Sequence, residues 1–169
     1  MRNPIPLVIV ACVLGVPGSS AQTVSDPAVR LFHARSIRCE WGPGTQGKWE
    51  DGQPSLELGT FGPGATVTYD SINGQTGEAR VVGNTGAFDV SVLQTPVGLT
   101  FIEVGTGLAG GLSFTTVFAS TVDRDTATTA ERAQRPLARS SYIGVISRHL
   151  DIAGTILPSQ WHGTCRILQ

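Results

Sequence analysis

Two strand-like stretches at opposite ends of the chain each carry a cysteine and a tryptophan on one face. In Ser159-Gln160-Trp161-His162-Gly163-Thr164-Cys165-Arg166-Ile167, a period of two places Trp161, Cys165 and Ile167 on one side. Gln160, His162, Thr164 and Arg166 fall on the other side. In Ile37-Arg38-Cys39-Glu40-Trp41, the residues Ile37, Cys39 and Trp41 again share a face. A sheet whose first and last strands are neighbours satisfies both patterns and brings Cys39 to Cys165. That requirement constrains the fold more than any other feature of the chain.

The third cysteine, Cys12, lies in a segment with the anatomy of a secretory signal. Arg2 precedes an apolar run from Ile5 to Val16, and the small residues Ser19 and Ala21 suit cleavage before Gln22. The run is shorter than the about 20 residues that a bilayer-spanning helix needs. The expectation is a signal peptide over 1–21, a leader over 22–31, and one domain over 32–169. Ile9-Val10-Ala11-Cys12 also resembles a lipoprotein cleavage box, so a chain lipid-anchored at Cys12 is the alternative. Removal of 21 of the 169 residues leaves 148. Arg2 departs with them, so 11 basic residues face 13 acidic ones, net −2. Such a balance carries no footprint for nucleic acid or for an acidic membrane surface. An even pair of cysteines in an oxidising periplasmic or extracellular space is expected to form a disulfide. A metal pair or a catalytic thiol is the other use of those residues, but neither has a C-x-x-C partner.

From Leu31 onward the pattern is β. Short apolar runs are separated by turn residues, and glycine is spread evenly. Strands are expected near 32–41, 55–60, 65–72, 77–83, 87–94, 98–104, 112–119, 139–149 and 159–167. Between them lie Gly42-Pro43-Gly44, Gly62-Pro63-Gly64, Asn73-Gly74, Asn84-Thr85-Gly86, Pro96-Val97-Gly98 and the glycines from 105 to 111. Asn73-Gly74 is the most specific of these, as a tight hairpin turn needs positive φ at both central residues. Expected inward residues are Val67 and Tyr69, then Phe88, Val90 and Val92, then Leu112, Phe114 and Phe118. About 8–9 strands with joined ends predict an all-β antiparallel meander closed into a barrel, with a β-sandwich as the alternative. Residues 120–136 are polar, small and charged, and are expected to form a long surface loop, mobile rather than functional. Asp26-Pro27 has the form of a helix start, with Asp26 as N-cap.

Several stretches resemble a group of small exported bacterial β-rich proteins of unknown function. They are Gly77 to Ala87, Gly98-Leu99-Thr100-Phe101-Ile102-Glu103, Ser147-Arg148-His149 and Ser159 to Cys165. The resemblance runs from about Cys39 to Cys165 and implies an exported β-rich domain but no activity. At fold level the layout is similar to lipocalin- or avidin-like barrels, without a lipocalin signature near the first strand.

Candidate chemistry is sparse. Gly105-Thr106-Gly107-Leu108-Ala109-Gly110 matches G-x-G-x-x-G, yet the motif needs a helix next, and Leu112 to Phe118 is strand-like. Ser147, His149 and Asp151 lie on one strand face, where neighbours are about 6.6 Å apart. A triad needs roughly 3 Å between nucleophile and base, so a hydrolase ranks third among functions. His33, His149 and His162 form no metal-ligating pattern. No catalytic residue, metal or cofactor is assigned.

Glu103 shares a face with Leu99 and Phe101, and Arg148 with Tyr142, Ile146 and Leu150. If those faces point inward, both charges sit in an apolar interior, where a charge must be paired or hydrogen-bonded. Arg80 is a third candidate partner. Trp41 and Trp161 are expected to pack around the disulfide, and Trp49, near a turn, to make a contact. The leading expectation is a non-catalytic binding module for a small, partly apolar ligand, using Glu103, Arg148, Arg80 and Trp49. The second is a protein-interaction module, such as an inhibitor of an extracytoplasmic enzyme, acting through loops such as 42–48 and 120–136. No nucleic-acid partner and no stable membrane insertion are expected.

Overall fold

The computed structural model describes residues 26–60, 62, 64–83, 86–105, 109–121, 141–152 and 155–168. The signal segment, Cys12, the first residues of the leader (22–25) and nearly all of the 120–136 loop lie outside the described residues. The chain enters through a short helix, α1 (Pro27–Phe32). Asp26 caps it by accepting from the Ala28 amide at 2.8 Å, and Pro27 occupies the first turn, where its missing N–H costs nothing. Leu31 on this helix is fully buried, and the Tyr142 hydroxyl donates to the Pro27 carbonyl at 2.9 Å.

Nine strands follow among the described residues: β1 (Ser36–Glu50), β2 (Gln53–Thr60), β3 (Thr66–Asn73), β4 (Glu78–Gly83), β5 (Gly86–Thr95), β6 (Gly98–Gly105), β7 (Ala109–Thr121), β8 (Tyr142–Ile152) and β9 (Thr155–Leu168). All pairings are antiparallel. β1 and β3 to β9 close an eight-stranded barrel, because β9 pairs back onto β1 with Cys39 opposite Cys165. That pairing decides for the barrel over the sandwich. The two cysteines are disulfide-bonded across the seam, 126 residues apart. Such a bond persists in an oxidising, extracytoplasmic environment. Among the described residues no helix is long and apolar enough to cross a membrane.

β1 is long enough to serve two partners on one side. Ile37 to Glu40 pair with β3, and Pro43 to Glu50 pair with β2. β2 is therefore a ninth strand that rises beyond the barrel wall rather than closing it. Strand directions place α1, the start of β6 and β8 and the end of β7 at one end. The opposite end is rimmed by the end of β6, the start of β7, the end of β8 and the start of β9.

Alternation sorts the wall into an apolar inside and a charged outside. Ile37, Tyr69, Leu99, Phe101, Val92, Val117 and Ile146 are essentially inaccessible. On the outer face Arg80 donates to both carboxylate oxygens of Asp70 at 3.0 and 2.9 Å, and stands opposite Asp89. Arg38, Glu40 and Arg166 are exposed on the same outer side. This arrangement is the reverse of a lipid-embedded barrel, whose apolar band faces outward.

The tryptophans on the seam lie flat on glycine backbone. A methyl group at Gly44 would sit 2.6 Å from the Trp161 ring, and one at Gly59 3.0 Å from it. A methyl group at Gly163 would lie 2.8 Å from the Trp41 ring. At Gly144 it would meet the Cys165 sulfur at 2.7 Å and the Trp41 ring at 3.4 Å. Trp41 thus packs beside the disulfide as expected, whereas Trp161 packs on Gly44 and Gly59.

Three expectations are corrected. Gly42-Pro43-Gly44 does not connect two strands, and 42–48 is not a loop. β1 passes through it with a bulge, its register on β9 shifting between Trp41 and Gly44, so Pro43 sits where the ladder is already interrupted. The turn comes at Asp51-Gly52, both with positive φ (51° and 76°), as a tight two-residue hairpin requires. Asn73-Gly74 is not a two-residue turn either. Asn73 Oδ1 accepts from the amides of Gln75 and Thr76, and the positive φ falls on Gly77. On β7 the expected face is inverted. Ser113, Thr115 and Val117 point inward and are buried, while Leu112 is 40% exposed. Phe114 instead packs edge-on against His149, with centroids 6.2 Å apart. Small polar residues win the interior there because the large ring of Tyr69 occupies the space and supplies Thr115 with a hydrogen bond. Of the other inward faces, Val90 and Val92 are buried, while Phe88 is 47% exposed at the open end.

Candidate functional site

Tyr69 lies at the centre of the barrel and is fully buried. Its ring stacks on Phe101 at 3.9 Å, nearly parallel (12°). Its hydroxyl lies 2.7 Å from Glu103 Oε1 and 2.7 Å from Thr115 Oγ1. One phenolic proton cannot serve both neighbours. A carboxylate can only accept, so Tyr69 donates to Glu103 and Thr115 donates to the phenol oxygen. The relay therefore runs Thr115 to Tyr69 to Glu103. Burial, and then the adjacent Glu103 charge, push the Tyr69 hydroxyl well above its ordinary pKa of 10.0. The phenol stays protonated and fixes the Glu103 carboxylate by one oxygen.

Glu103 stands directly opposite Ser113 on β7, and Ser113 stands directly opposite Arg148 on β8. Arg148 in turn stands opposite Ser159 on β9. These four residues form an inward-facing row across β6, β7, β8 and β9, one layer toward the open end from Phe101, Thr115 and Ile146. Glu103 and Arg148 are half-buried, and the Arg148 charge is close enough to act on the Tyr69 hydroxyl. Ser113 is 6% exposed, and its Oγ is buried with no hydrogen-bond partner among the described residues. An orphaned buried hydroxyl carries a desolvation cost of about 1–3 kcal/mol. The layer beneath, where Trp161 stands opposite Ile146, is filled by side chains. Toward the open end the inner face adds Val67 and Phe88.

Glu103 and Arg148, chosen from strand parity, are thus brought to one row. Arg80 is not: it points outward to Asp70. Trp49 is also remote from that row, 59% exposed at the far end of β1. It helps line a separate surface cleft of about 540 Å³ with Lys48, Glu50, Thr155, Ile156 and Leu157. Sequence reasoning missed three members of the site. Alternation marks Tyr69 as core but says nothing of its hydroxyl, and the β7 pattern places Ser113 and Thr115 on the wet face. The signal that could have found them is the phenol itself, since a buried tyrosine hydroxyl needs a partner.

Ser147, His149 and Asp151 lie on the outer face. Ser147 Oγ accepts from Gln160 at 3.3 Å, and His149 is engaged by Phe114. Among the described residues no three His, Cys, Asp or Glu side chains converge as a metal site requires. Residues 106–108 of the glycine-rich motif lie outside the described residues, and the element that follows is strand β7, not a helix. No protein-family model matches the chain, and no curated protein is significantly similar to it.

Proposed function

We propose that the protein is an exported, non-catalytic carrier of a small, mainly apolar ligand held in the open half of the barrel. The observation that carries this reading is the orphaned Ser113 hydroxyl, buried between Glu103 and Arg148 in an otherwise apolar wall. A ligand pocket combines an apolar lining with a few convergent polar groups. Here the groups prescribe the head of the guest. Glu103 has one oxygen engaged by Tyr69, and its other oxygen accepts. Ser113 both donates and accepts. A hydroxyl or amine donating to Glu103 and bonding to Ser113 satisfies both residues, while its apolar body lies against Phe88 and Val67.

The test is native mass spectrometry of gently purified protein, followed by Trp fluorescence titration with a medium-chain alcohol, amine and carboxylate. The expected result is a co-purifying mass lost on denaturation, with the alcohol or amine bound more tightly than the carboxylate. Glu103→Gln should weaken that binding about tenfold or more, as a hydrogen bond to a charged group is worth about 1.5–3 kcal/mol. Arg80→Ala should leave binding unchanged. Absence of both a co-purifying mass and any titratable fluorescence change would sink the reading.

A further inference from the structure

The two most exposed large apolar side chains described are neighbours on β2: Leu56 (80%) and Leu58 (90%). They face outward beside Pro54, and among the described strands β2 is the one with an open edge, since every barrel strand has two partners. The hairpin geometry fixes which backbone groups that edge presents. Glu50 and Gln53 flank the two-residue turn and exchange hydrogen bonds, so Lys48 with Ser55, Gln46 with Glu57 and Gly44 with Gly59 do likewise. The N–H and C=O groups of Leu56, Leu58 and Thr60 therefore point away from β1, as does the C=O of Pro54. Among the described residues no backbone hydrogen bond reaches them. Natural edges are guarded by charge, proline or bulges. On this one Pro54 blocks a single donor at one end, and the middle is Leu56-Glu57-Leu58, with the Glu57 charge paired to Lys48.

We infer that β2 pairs antiparallel with β2 of a second copy of this chain, about a two-fold axis at Glu57. The occupant is argued from self-complementarity. In that register Leu56 meets the partner's Leu58 in both directions, so four leucines join on the outer face. Ser55 meets the partner's Gly59 on the inner face, where bulk is absent from both. Thr60 donates to the carbonyl of the partner's Pro54, so the missing proline N–H falls at the end of the ladder. The two Glu57 side chains oppose each other, which would ordinarily forbid the pairing. Each, however, already carries an ion pair with Lys48 of its own β1. The symmetry is the isologous, closed kind that yields a dimer rather than a fibre.

The experiment is sedimentation velocity on the intact, oxidised protein over a wide concentration range, with three variants. The wild type should sediment as a dimer. Leu56→Lys/Leu58→Lys, which alters only exposed side chains, should sediment as a monomer with an unchanged circular dichroism spectrum. Leu58→Pro should do the same, since the N–H it removes bonds to nothing within the monomer. Glu57→Cys should cross-link under oxidising conditions, as residues facing each other in a wide antiparallel pair lie about 4.5 Å apart at Cα. A wild type that stays monomeric at its highest soluble concentration overturns the proposal. So does a dimer that survives the double lysine variant, one that fails to cross-link through position 57, or assembly only with a different protein.

Discussion

At the scale of single residues, Tyr69 decides more than any other side chain. It fills the barrel centre, stacks on Phe101, and holds Glu103 and Thr115 by one oxygen. Tyr69→Phe keeps the ring and removes that oxygen, leaving a buried threonine hydroxyl without its partner. The expected loss is about 1–3 kcal/mol in a denaturant titration. The same residue dictates alkaline behaviour. Its folded pKa is raised above the ordinary 10.0, so the unfolded chain gives up the phenolic proton first. Stability is then fully present below pH 10.0 and falls as pH climbs through the interval toward the higher folded value. Tyr142, raised mainly by burial, contributes in the same direction and window. Urea midpoints measured from pH 8 upward should fall for the wild type, and less steeply for Tyr69→Phe. Equal slopes would show that Tyr69 is not held as described.

At the scale of elements, the seam between β8, β9 and β1 is built from tryptophan rings laid on glycines. Gly44 is among the tightest of these contacts, since an added methyl group would lie 2.3 Å from the Gln160 carbonyl as well as against the Trp161 ring. Because one of those neighbours is backbone, Gly44→Ala has to push β1 away from β9. Overpacking of this kind costs about 1–3 kcal/mol. Gly52→Ala, with positive φ but open space around it, should cost only the left-handed backbone penalty of about 1 kcal/mol. A melting series that ranks the two the other way would contradict the seam. The same elements show what could be read from the sequence. The pairing of β1 with β9 was legible because each strand carried its cysteine and tryptophan in period with an apolar residue. Glu103 and Arg148 were legible as inward residues for the same reason: their faces hold Phe101 and Ile146. β7 was not legible. Leucine and phenylalanine outweigh serine and threonine on any local count, and what buries Thr115 is a hydroxyl 46 residues away in sequence. Nor was the course of β1 through Gly42-Pro43-Gly44, since a bulge and a turn draw on the same residues.

At the scale of the whole molecule, closure is the property on which the rest depends. The row from Glu103 to Ser159 exists only if β6 through β9 curve together, and β9 is held in place by β1 and β8 alone. The disulfide lies on that last contact, where it closes a loop spanning most of the domain. Chain-entropy estimates put the stabilisation from so long a loop at about 4–5 kcal/mol. Small domains hold only about 5–15 kcal/mol in total. Cys39→Ser/Cys165→Ser is therefore expected to bring the protein near its folding threshold, with two serine hydroxyls added to a fully buried site. Loss should begin at the seam. Amide exchange in the double variant should accelerate first in Ile37–Trp41 and Gly163–Ile167, and later in β4 and β5 on the opposite wall. If the β1–β9 amides instead exchange no faster than those of β4 and β5, the two strands are held by their tryptophan–glycine packing rather than by the covalent bond. The binding proposed above should fail in step with the seam rather than with global unfolding, because Arg148 and Ser159 reach that row only through strands that the seam holds.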